Sequence, residues 1–277
     1  MVKIITDSST LYTPEEGRKL GFDVVPLCVH IAHLEERDLL VDMDVFYEKI
    51  AEGNHPRSSQ PPVGEVMDAY EAYPEDEIIN ITMADGLSGT YHSACGARES
   101  VENKEKIVVF NSKTLCGPHR YMVEKAQQLA EEGKTATEIL QWLELAAEQH
   151  ESFLIPQDFE FLKRGGRLTP VAAAFGSVLK LKPIMKQTDD GMKLDKFGVK
   201  RTMKAVVAAI IEHLKKAELD GRHIVYVSHA RAFEDAQKVL EQLKETFPKA
   251  EYRILDLGAA FVTQGGPGCI AIQYIRK

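Results

Sequence analysis

The sequence predicts an α/β protein of two domains, the first a doubly wound parallel sheet and the second an α/β domain with a mixed sheet. In the first half of the chain, β-rich stretches alternate with helical ones, which is typical of parallel strands joined by crossover helices. In the second half, two strand-like runs flank an Asp189-Asp190-Gly191 turn, a pattern that predicts a hairpin. We place the domains at residues 1–153 and 154–277.

The elements of the first domain follow from β-branched runs, helical periodicity and capping residues. A helix begins at Pro14, behind the N-cap Thr13, and ends at Gly21. The spacing from Thr135 to Glu138 is that of a capping box. Strands are predicted over 2–6, 23–31, 77–83 and 107–111. Further helices are predicted over 45–51, 63–73, 90–102, 121–132 and 137–150.

The second domain is predicted from the same signals, beginning with a Gly165-Gly166 turn and a helical run of small residues over 171–181. The hairpin strands are predicted over 183–187 and 192–196. Helices follow over 202–216 and 232–247. The remaining strands are predicted over 223–228 and 251–257 and near 270–274.

Composition narrows the class of protein. The chain has 277 residues, 44% of them hydrophobic and 27% charged, with a net charge of -8, which argues against a nucleic-acid partner. The amino terminus, Met1-Val2-Lys3-Ile4-Ile5-Thr6-Asp7, reaches a charged residue after a very short apolar run, which argues against a signal peptide. No apolar run approaches the ~20 residues of a membrane span. We therefore expect a cytoplasmic protein without stable membrane insertion. The cysteines are widely separated, and we therefore expect no disulfide framework. His30 and His33 are close in the sequence but have no third ligand at metal-site spacing, so we expect no metal site.

The most informative segment joins a predicted strand to a helix start at Ser88-Gly89-Thr90. The first turn of a helix leaves N–H groups without partners and favours an anion. Ser88 and Thr90 add hydroxyl donors, and Gly89 lets a ligand approach the backbone. The alternative is an ordinary N-cap, in which Ser88 bonds only its own helix. Strand topology places this segment, like Asp7-Ser8-Ser9, at the carboxyl edge of the sheet, where such folds bind ligands.

Three other segments have features of an anion site. Ser58 and Ser59 precede a second helix start, for which a polar loop with an N-cap is the alternative. Arg164 and Arg167 surround a Gly-Gly turn that is otherwise a solvated basic turn. Near the end of the chain, the glycine-rich segment that follows Gln264 either borders a ligand or is a tight connection.

A hydrolase or acyltransferase with Ser88 as nucleophile is a competing interpretation. The surrounding sequence has threonine where a nucleophile elbow has its last glycine. Such an enzyme would need a base such as His92, His119 or His229 within hydrogen-bond reach of Ser88. A second competitor is a binder of another small anion, such as a phosphorylated metabolite. No nucleotide-binding glycine motif is present, and we expect no cofactor.

Taken together and in order, five segments resemble the DegV family, and they extend over nearly the whole chain. They are Thr6-Asp7-Ser8-Ser9, Ser58-Ser59-Gln60-Pro61, Leu87-Ser88-Gly89-Thr90-Tyr91, Phe161-Leu162-Lys163-Arg164-Gly165-Gly166-Arg167 and Gly265-Gly266-Pro267-Gly268. The resemblance implies a protein that buries one long-chain fatty acid between two domains. It also implies kinship with the FakB carriers, which present an acyl group to a separate fatty acid kinase. It does not imply catalysis by this chain.

The resemblance also implies which residues hold the acyl carboxylate. The matching positions are Ser58, with neighbouring Ser59, and Ser88, supported by Gly89 and Thr90. Serine replaces the family's usual threonine at Ser58, which keeps the hydroxyl. Gln264 stands where the family usually has histidine, so this position cannot become cationic. Arg201 matches a family arginine and, with Arg164 and Arg167, is a predicted contact for a phosphorylated head group or the kinase.

The acyl tail needs only an enclosed apolar slot, because burial contributes ~0.8 kcal/mol per methylene. The small and apolar run of the second domain supplies the candidates. Tight core packing is the alternative interpretation of the same residues. The candidates are Phe175, Val178, Leu179 and Ile184, with Leu181 and Met185 beside them.

Overall fold

The computed structural model describes residues 1–174 and 181–277, and the chain divides into two compact units. The first unit comprises Met1–Glu148 and Gly258–Ala260, and the second comprises Gln149–Leu257 and Phe261–Lys277. The division lies a few residues before the boundary of 153/154 predicted from the sequence. The predicted boundary falls inside a strand, His150–Ile155, that belongs to the sheet of the second unit.

The first unit contains seven of the described strands and six of the described α-helices. The strands are β1 Val2–Asp7, β2 Asp23–Val25, β3 Cys28–Ile31, β4 Leu34–Arg37, β5 Arg57–Ser59, β6 Glu77–Thr82 and β7 Ile107–Asn111. The helices are α1 Pro14–Lys19, α2 Met43–Ala51, α3 Val63–Glu71, α4 Thr90–Glu99, α5 Cys116–Glu131 and α6 Ala136–Ala146. Single 3-10 turns occupy Ser8–Thr10, Asp85–Leu87 and Lys104–Lys106.

The main sheet of the first unit is parallel, with strand order β2-β1-β6-β7. Its two central strands carry fully buried isoleucines, Ile4 and Ile5 on β1 and Ile78 and Ile79 on β6. Strands buried on both faces are typical of parallel sheets covered by helices. The predicted doubly wound sheet is therefore confirmed.

The prediction of one strand over 23–31 was wrong. The chain forms β2 in the parallel sheet, passes Pro26, and then forms β3 in a separate antiparallel sheet of order β4-β3-β5. Pro26 has no N–H to give to a sheet, so a change of sheet at this point is chemically reasonable. Strands β4 and β5 were missed because they are short and rich in charged or polar residues.

Both predicted helix caps in the first unit are present. Thr13 and Glu16 form a capping box at α1, with Pro14 in the first turn. Thr135 and Glu138 form a second one at α6. Each box satisfies N–H groups that a helix start leaves without partners.

The second unit contains the remaining described elements. Its strands are β8 His150–Ile155, β9 Lys182–Gln187, β10 Leu194–Lys200, β11 His223–His229, β12 Glu251–Asp256 and β13 Ile270–Arg276. Its helices are α7 Phe159–Gly165, α8 Pro170–Ala173, α9 Met203–Leu214, α10 Phe233–Thr246 and α11 Ala259–Gly265, with a 3-10 turn at Lys215–Ala217. Residues 259 and 260 of α11 group with the first unit.

The sheet of the second unit is mixed, with order β10-β9-β8-β13-β11-β12. Among its named strands, only β11 and β12 pair in parallel, and the other described strand pairs are antiparallel. One face packs against α9 and α10 through a core that includes Phe153, Val207, Ile210, Val239 and Leu243. The predicted mixed sheet is confirmed, and the predicted hairpin is β9 and β10.

The predicted helix over 171–181 has only its beginning, α8, in the described part of the chain. Residues 175–180 lie outside it. Helix α11 was missed, because the glycine-rich sequence at its end reads as a loop. Within residues 1–174 and 181–277, no helix is long and apolar enough to cross a bilayer, and no group of side chains has the composition of a metal site.

Candidate functional site

The Ser88-Gly89-Thr90 segment lies between the end of β6 and the first turn of α4. Ser88 is extended, and its Oγ lies 2.8 Å from Thr90 Oγ1. The backbone N–H of Thr90 donates to Ser88 Oγ at 3.3 Å. Gly89 occupies the N-cap position and is exposed. Two linked hydroxyls therefore stand at a helix start with an open backbone, which is suited to an anion.

The Ser58-Ser59-Gln60 segment approaches the same helix start within the first unit. Gln60 Oε1 lies 3.4 Å from the position that a Cβ atom would take at Gly89. The structure therefore places the second predicted anion segment beside the first. This contact brings together two of the segments selected from the sequence.

Ser58 and Ser59 lie on opposite faces of the small antiparallel sheet. In β5, Ser58 is paired with Val29 and Ser59 with Cys28, and successive side chains of a strand point to opposite faces. Ser59 Oγ lies 3.4 Å from His30 Nε2. The two hydroxyl groups therefore do not converge on one small ligand.

A buried polar cluster, which the sequence did not predict, lies at the carboxyl edge of the parallel sheet. The Asp7 carboxylate accepts hydrogen bonds from the N–H groups of Ser9 and Met83, both at 2.8 Å. Asp7 thereby joins the ends of β1 and β6. These two strands precede the segments that the sequence placed at this edge.

His119 belongs to the same cluster. Its Nε2 lies 3.1 Å from the Ile81 carbonyl oxygen, and its Nδ1 lies 2.7 Å from Ser9 Oγ. A carbonyl only accepts, so Nε2 carries the proton and Nδ1 accepts from the Ser9 hydroxyl. Burial lowers the pKa of His119, which favours this neutral form.

Asp38 is a further buried ionisable group in the first unit. Its Oδ2 accepts from Ser8 Oγ at 2.8 Å and its Oδ1 accepts from the N–H of Ala260 at 3.0 Å. Burial is the main cause that raises the pKa of Asp38 to about 6. The sequence pattern indicated the Asp7-Ser8-Ser9 segment, but it did not indicate Asp38, which accepts a hydrogen bond from Ser8.

The histidines of the first unit that could serve Ser88 as a base have other partners. His92 Nε2 lies 3.3 Å from Asp85 Oδ1, and His119 bonds Ser9 and Ile81 as described. His229 belongs to the second unit, where its Nδ1 lies 3.4 Å from Asp256 Oδ1. The described hydrogen bonds of the first unit thus provide no base for a Ser88 nucleophile.

Gln264 lies against the basic turn within the second unit. Its Nε2 donates to Thr263 Oγ1 at 3.0 Å, while its buried Oε1 has no hydrogen-bond partner among residues 1–174 and 181–277. A Cβ atom at Gly165 would lie only 2.0 Å from Gln264 Oε1. Because glycine has no Cβ atom, position 165 leaves the space that the Gln264 amide occupies.

The basic turn itself is held by local contacts. Arg167 donates to the Gly165 carbonyl oxygen, and desolvation lowers the pKa of Arg167. The Arg164 guanidinium lies 4.9 Å from the centre of the Phe161 ring and is exposed. Gly266 packs against the same ring, where a Cβ atom would lie 3.0 Å from Phe161 Cδ2.

The second unit also contains Arg201 and the residues predicted to surround the acyl tail, which lie outside the basic turn. Arg201 is exposed, between β10 and the N-cap of α9. Ile184 is fully buried in the hydrophobic core, and Met185 is buried in a smaller cluster with Phe159 and Leu162. Leu181 is half-buried. The tail candidates Phe175, Val178 and Leu179 lie outside the described residues.

Comparison with known families agrees with the resemblance of the sequence segments. The family model described as uncharacterised protein, DegV family, matches residues 1–277. The chain belongs to the DegV family. It is 32% identical to Protein DegV of Bacillus subtilis (strain 168) over 283 residues, an alignment that covers 100% of this chain and 99% of the relative.

Two solved DegV family structures are similar over nearly the whole chain. The Thermus thermophilus protein, reported for its fatty acid binding, has a TM-score of 0.90 and 26% identity, with coverage of 100% and 99%. The Ruminococcus gnavus protein, solved with vaccenic acid, has a TM-score of 0.87 and 26% identity, with coverage of 98% and 99%. The expected family and fold are thus confirmed.

Proposed function

We propose that this protein binds one long-chain fatty acid, whose carboxylate is held by Ser58 and Ser88. The observation that carries this proposal is the meeting of the two serine segments at the start of α4, where Gln60 lies against Gly89. It is supported by the Thermus thermophilus and Ruminococcus gnavus members of the family, which are described with fatty acids.

The chemistry of the α4 start suits a carboxylate. The helix start favours negative charge, and hydroxyl groups donate to carboxylate oxygens. Ser88 Oγ and Thr90 Oγ1 are close enough for one hydroxyl to donate to the other, and the accepting hydroxyl keeps its own proton to donate to a ligand. Gly89, which has no side chain, leaves the backbone open to the ligand.

Of the two neighbouring serines, we assign Ser58 to the carboxylate. Ser59 lies on the opposite face of the sheet and within 3.4 Å of His30 Nε2. The Ser59 hydroxyl thus has the His30 imidazole as a neighbour, whichever of the two groups donates. The predicted role of Ser59 is therefore reduced to that of a neighbour, and Gln264 remains a predicted amide contact.

The proposed role is that of a carrier rather than an enzyme. Among the described contacts, Ser88 Oγ pairs with Thr90 and none joins it to His92 or His119, which disfavours a Ser88 nucleophile. We further propose a fatty acid kinase as the partner that receives the acyl group. Exposed Arg164 and Arg201 are its proposed contacts, with half-buried Arg167 beside them, because guanidinium groups bind phosphate well.

Mass spectrometry after denaturing extraction tests the ligand class directly. We expect a long-chain fatty acid at close to one molecule per chain. A phosphorylated or other polar compound would overturn the proposal in favour of the small-anion alternative. Protein stripped of lipid should then bind added oleic acid, and failure to do so would equally count against the proposal.

A further inference from the structure

Asp38 is a buried carboxylate whose described hydrogen-bond partners are all donors. It is fully buried and accepts from Ser8 Oγ at 2.8 Å and from the Ala260 N–H at 3.0 Å. Ser8 Oγ in turn accepts from the Leu27 N–H at 3.1 Å. This arrangement favours the ionised carboxylate, because hydrogen bonds to a charged acceptor are stronger than those to a neutral one.

The segment that Asp38 holds comes from the far end of the chain. Residues 258–260 group with the first unit, although the residues on either side group with the second. A Cβ atom at Gly258 would lie 2.5 Å from Leu39 Cδ2 and 2.8 Å from Asp38 Oδ1. Ala260 lies in the first turn of α11, the helix that also carries Gln264.

The charge on Asp38 is sensitive to pH in an accessible range. Burial raises the pKa of Asp38 to about 6, and the negative charge of nearby Asp7 acts in the same direction. The donors on Ser8, Ala260 and Leu39 oppose this rise. Burial favours the neutral form of His119, although the negative charge of Asp7 acts in the opposite direction.

We propose that Asp38 is a positioning residue that fastens the start of α11, and that its ionised form slows the release of bound fatty acid. The proposal rests on the function proposed above. Protonation leaves Oδ1 a neutral acceptor and weakens its bond to Ala260. The start of α11, and Gln264 farther along it, are then held less firmly.

Release of a fluorescent fatty acid tests this role. Protein loaded with dansyl-undecanoic acid is mixed with excess oleic acid, and the release rate is measured from pH 7.5 to pH 5. We expect release from the native protein to be roughly fivefold faster at pH 5, since a charged hydrogen bond becomes a neutral one. Asp38→Asn, which is neutral throughout, should release at the faster rate at both pH values.

Two further variants identify the group responsible. Ser8→Ala removes a donor that favours the ionised form, so the change in rate should move to higher pH. Asp42→Asn alters an exposed carboxylate that caps α2 through the N–H groups of Asp44 and Val45, and the native pH profile should remain. A profile that is the same in the native protein and in Asp38→Asn would overturn the inference.

Hydrogen exchange of the ligand-free protein separates this inference from the proposed function. At pH 7, Asp38→Ala should speed exchange of the Ala260 amide at least tenfold, because that N–H loses its acceptor. Unchanged exchange would overturn the role of Asp38 even if fatty acid binds normally. A native protein that binds neither dansyl-undecanoic nor oleic acid would instead overturn the proposed function, whatever the exchange result.

Discussion

Gln60 Oε1 lies 3.4 Å from the position that a Cβ atom would occupy at Gly89, so the loop after β5 contacts the start of α4. Neither segment makes an anion site alone. Ser88 and Thr90 provide linked hydroxyls, and β5, which ends at this loop, provides the hydroxyls of Ser58 and Ser59. Their proximity is what turns two ordinary helix starts into a candidate site for a carboxylate.

Replacement of Ser88 by alanine tests the centre of this site. Ser88→Ala should weaken oleic acid binding by about 1–3 kcal/mol, because one hydrogen bond to a charged acceptor is lost. Isothermal titration calorimetry measures the affinity. Ser100→Ala is the matched control, since Ser100 is exposed at the other end of α4 and donates to the Gly96 carbonyl. Equal affinity of Ser88→Ala and native protein would contradict the placement of the carboxylate.

The two serines of β5 should differ in their effect on binding. Ser58→Ala should weaken oleic acid binding by about 1–3 kcal/mol, as expected for a hydroxyl that donates to a carboxylate. Ser59→Ala should change it by less than about 0.5 kcal/mol, because Ser59 lies on the opposite face beside His30. The same titration measures both variants. A larger loss of affinity in Ser59→Ala than in Ser58→Ala would place the head group on the face of the sheet that carries His30.

The features that the sequence predicted are those set by neighbouring residues. The capping boxes at Thr13 and Thr135 each depend on residues three positions apart, and the parallel sheet follows from runs of buried β-branched residues. The contact of Gln60 with Gly89 could not be predicted in this way. It depends on how β5 pairs with β3, and no local pattern of residues indicates that β5 is a strand.

The buried polar cluster was missed for the same physical reason. Ser9 and His119 are 110 residues apart, and Asp38 and Ala260 are 222 residues apart. A lone buried histidine or aspartate has no local pattern, since its partners are supplied by the fold. The one signal in the sequence was the polar Asp7-Ser8-Ser9 run at the end of a strand. It indicated where the cluster lies, but it did not indicate that Asp38 and His119 belong to it.

His119 should make the protein sensitive to acid. Its pKa is lowered in the folded state by burial, so the unfolded state takes up a proton first as pH falls below about 6.5. The stability that neutral His119 contributes is complete above that value and is lost below it. His119→Asn should be less stable than the native protein by about 1–3 kcal/mol at pH 7.5, because Ser9 or Ile81 loses a partner.

Urea unfolding at pH 7.5 and pH 5.5 measures this difference. The deficit of His119→Asn should shrink at the lower pH, since the variant has no imidazole to protonate in the unfolded state. His33→Asn is the control, because His33 is exposed in the same unit. A deficit that is equal at both pH values would show that the proton uptake of His119 does not differ between the folded and unfolded states.

Gly165→Ala should reduce binding without a matching loss of stability. The new Cβ would lie 2.0 Å from Gln264 Oε1, so the flexible amide has to move. Alanine is favoured over glycine within a helix by about 1 kcal/mol, which offsets part of the strain in α7. We therefore expect a midpoint of thermal unfolding within a few degrees of the native value and weaker oleic acid binding, if Gln264 contacts the head group as proposed.

Gly96→Ala separates these two effects. Gly96 lies within α4, and nothing stands within 4 Å of the position of its Cβ, so alanine should raise the midpoint and leave binding unchanged. Native affinity in Gly165→Ala would show that the position of the Gln264 amide does not affect the ligand. Gln264 would then be a packing residue of the basic turn, and the carboxylate would depend on the first unit alone.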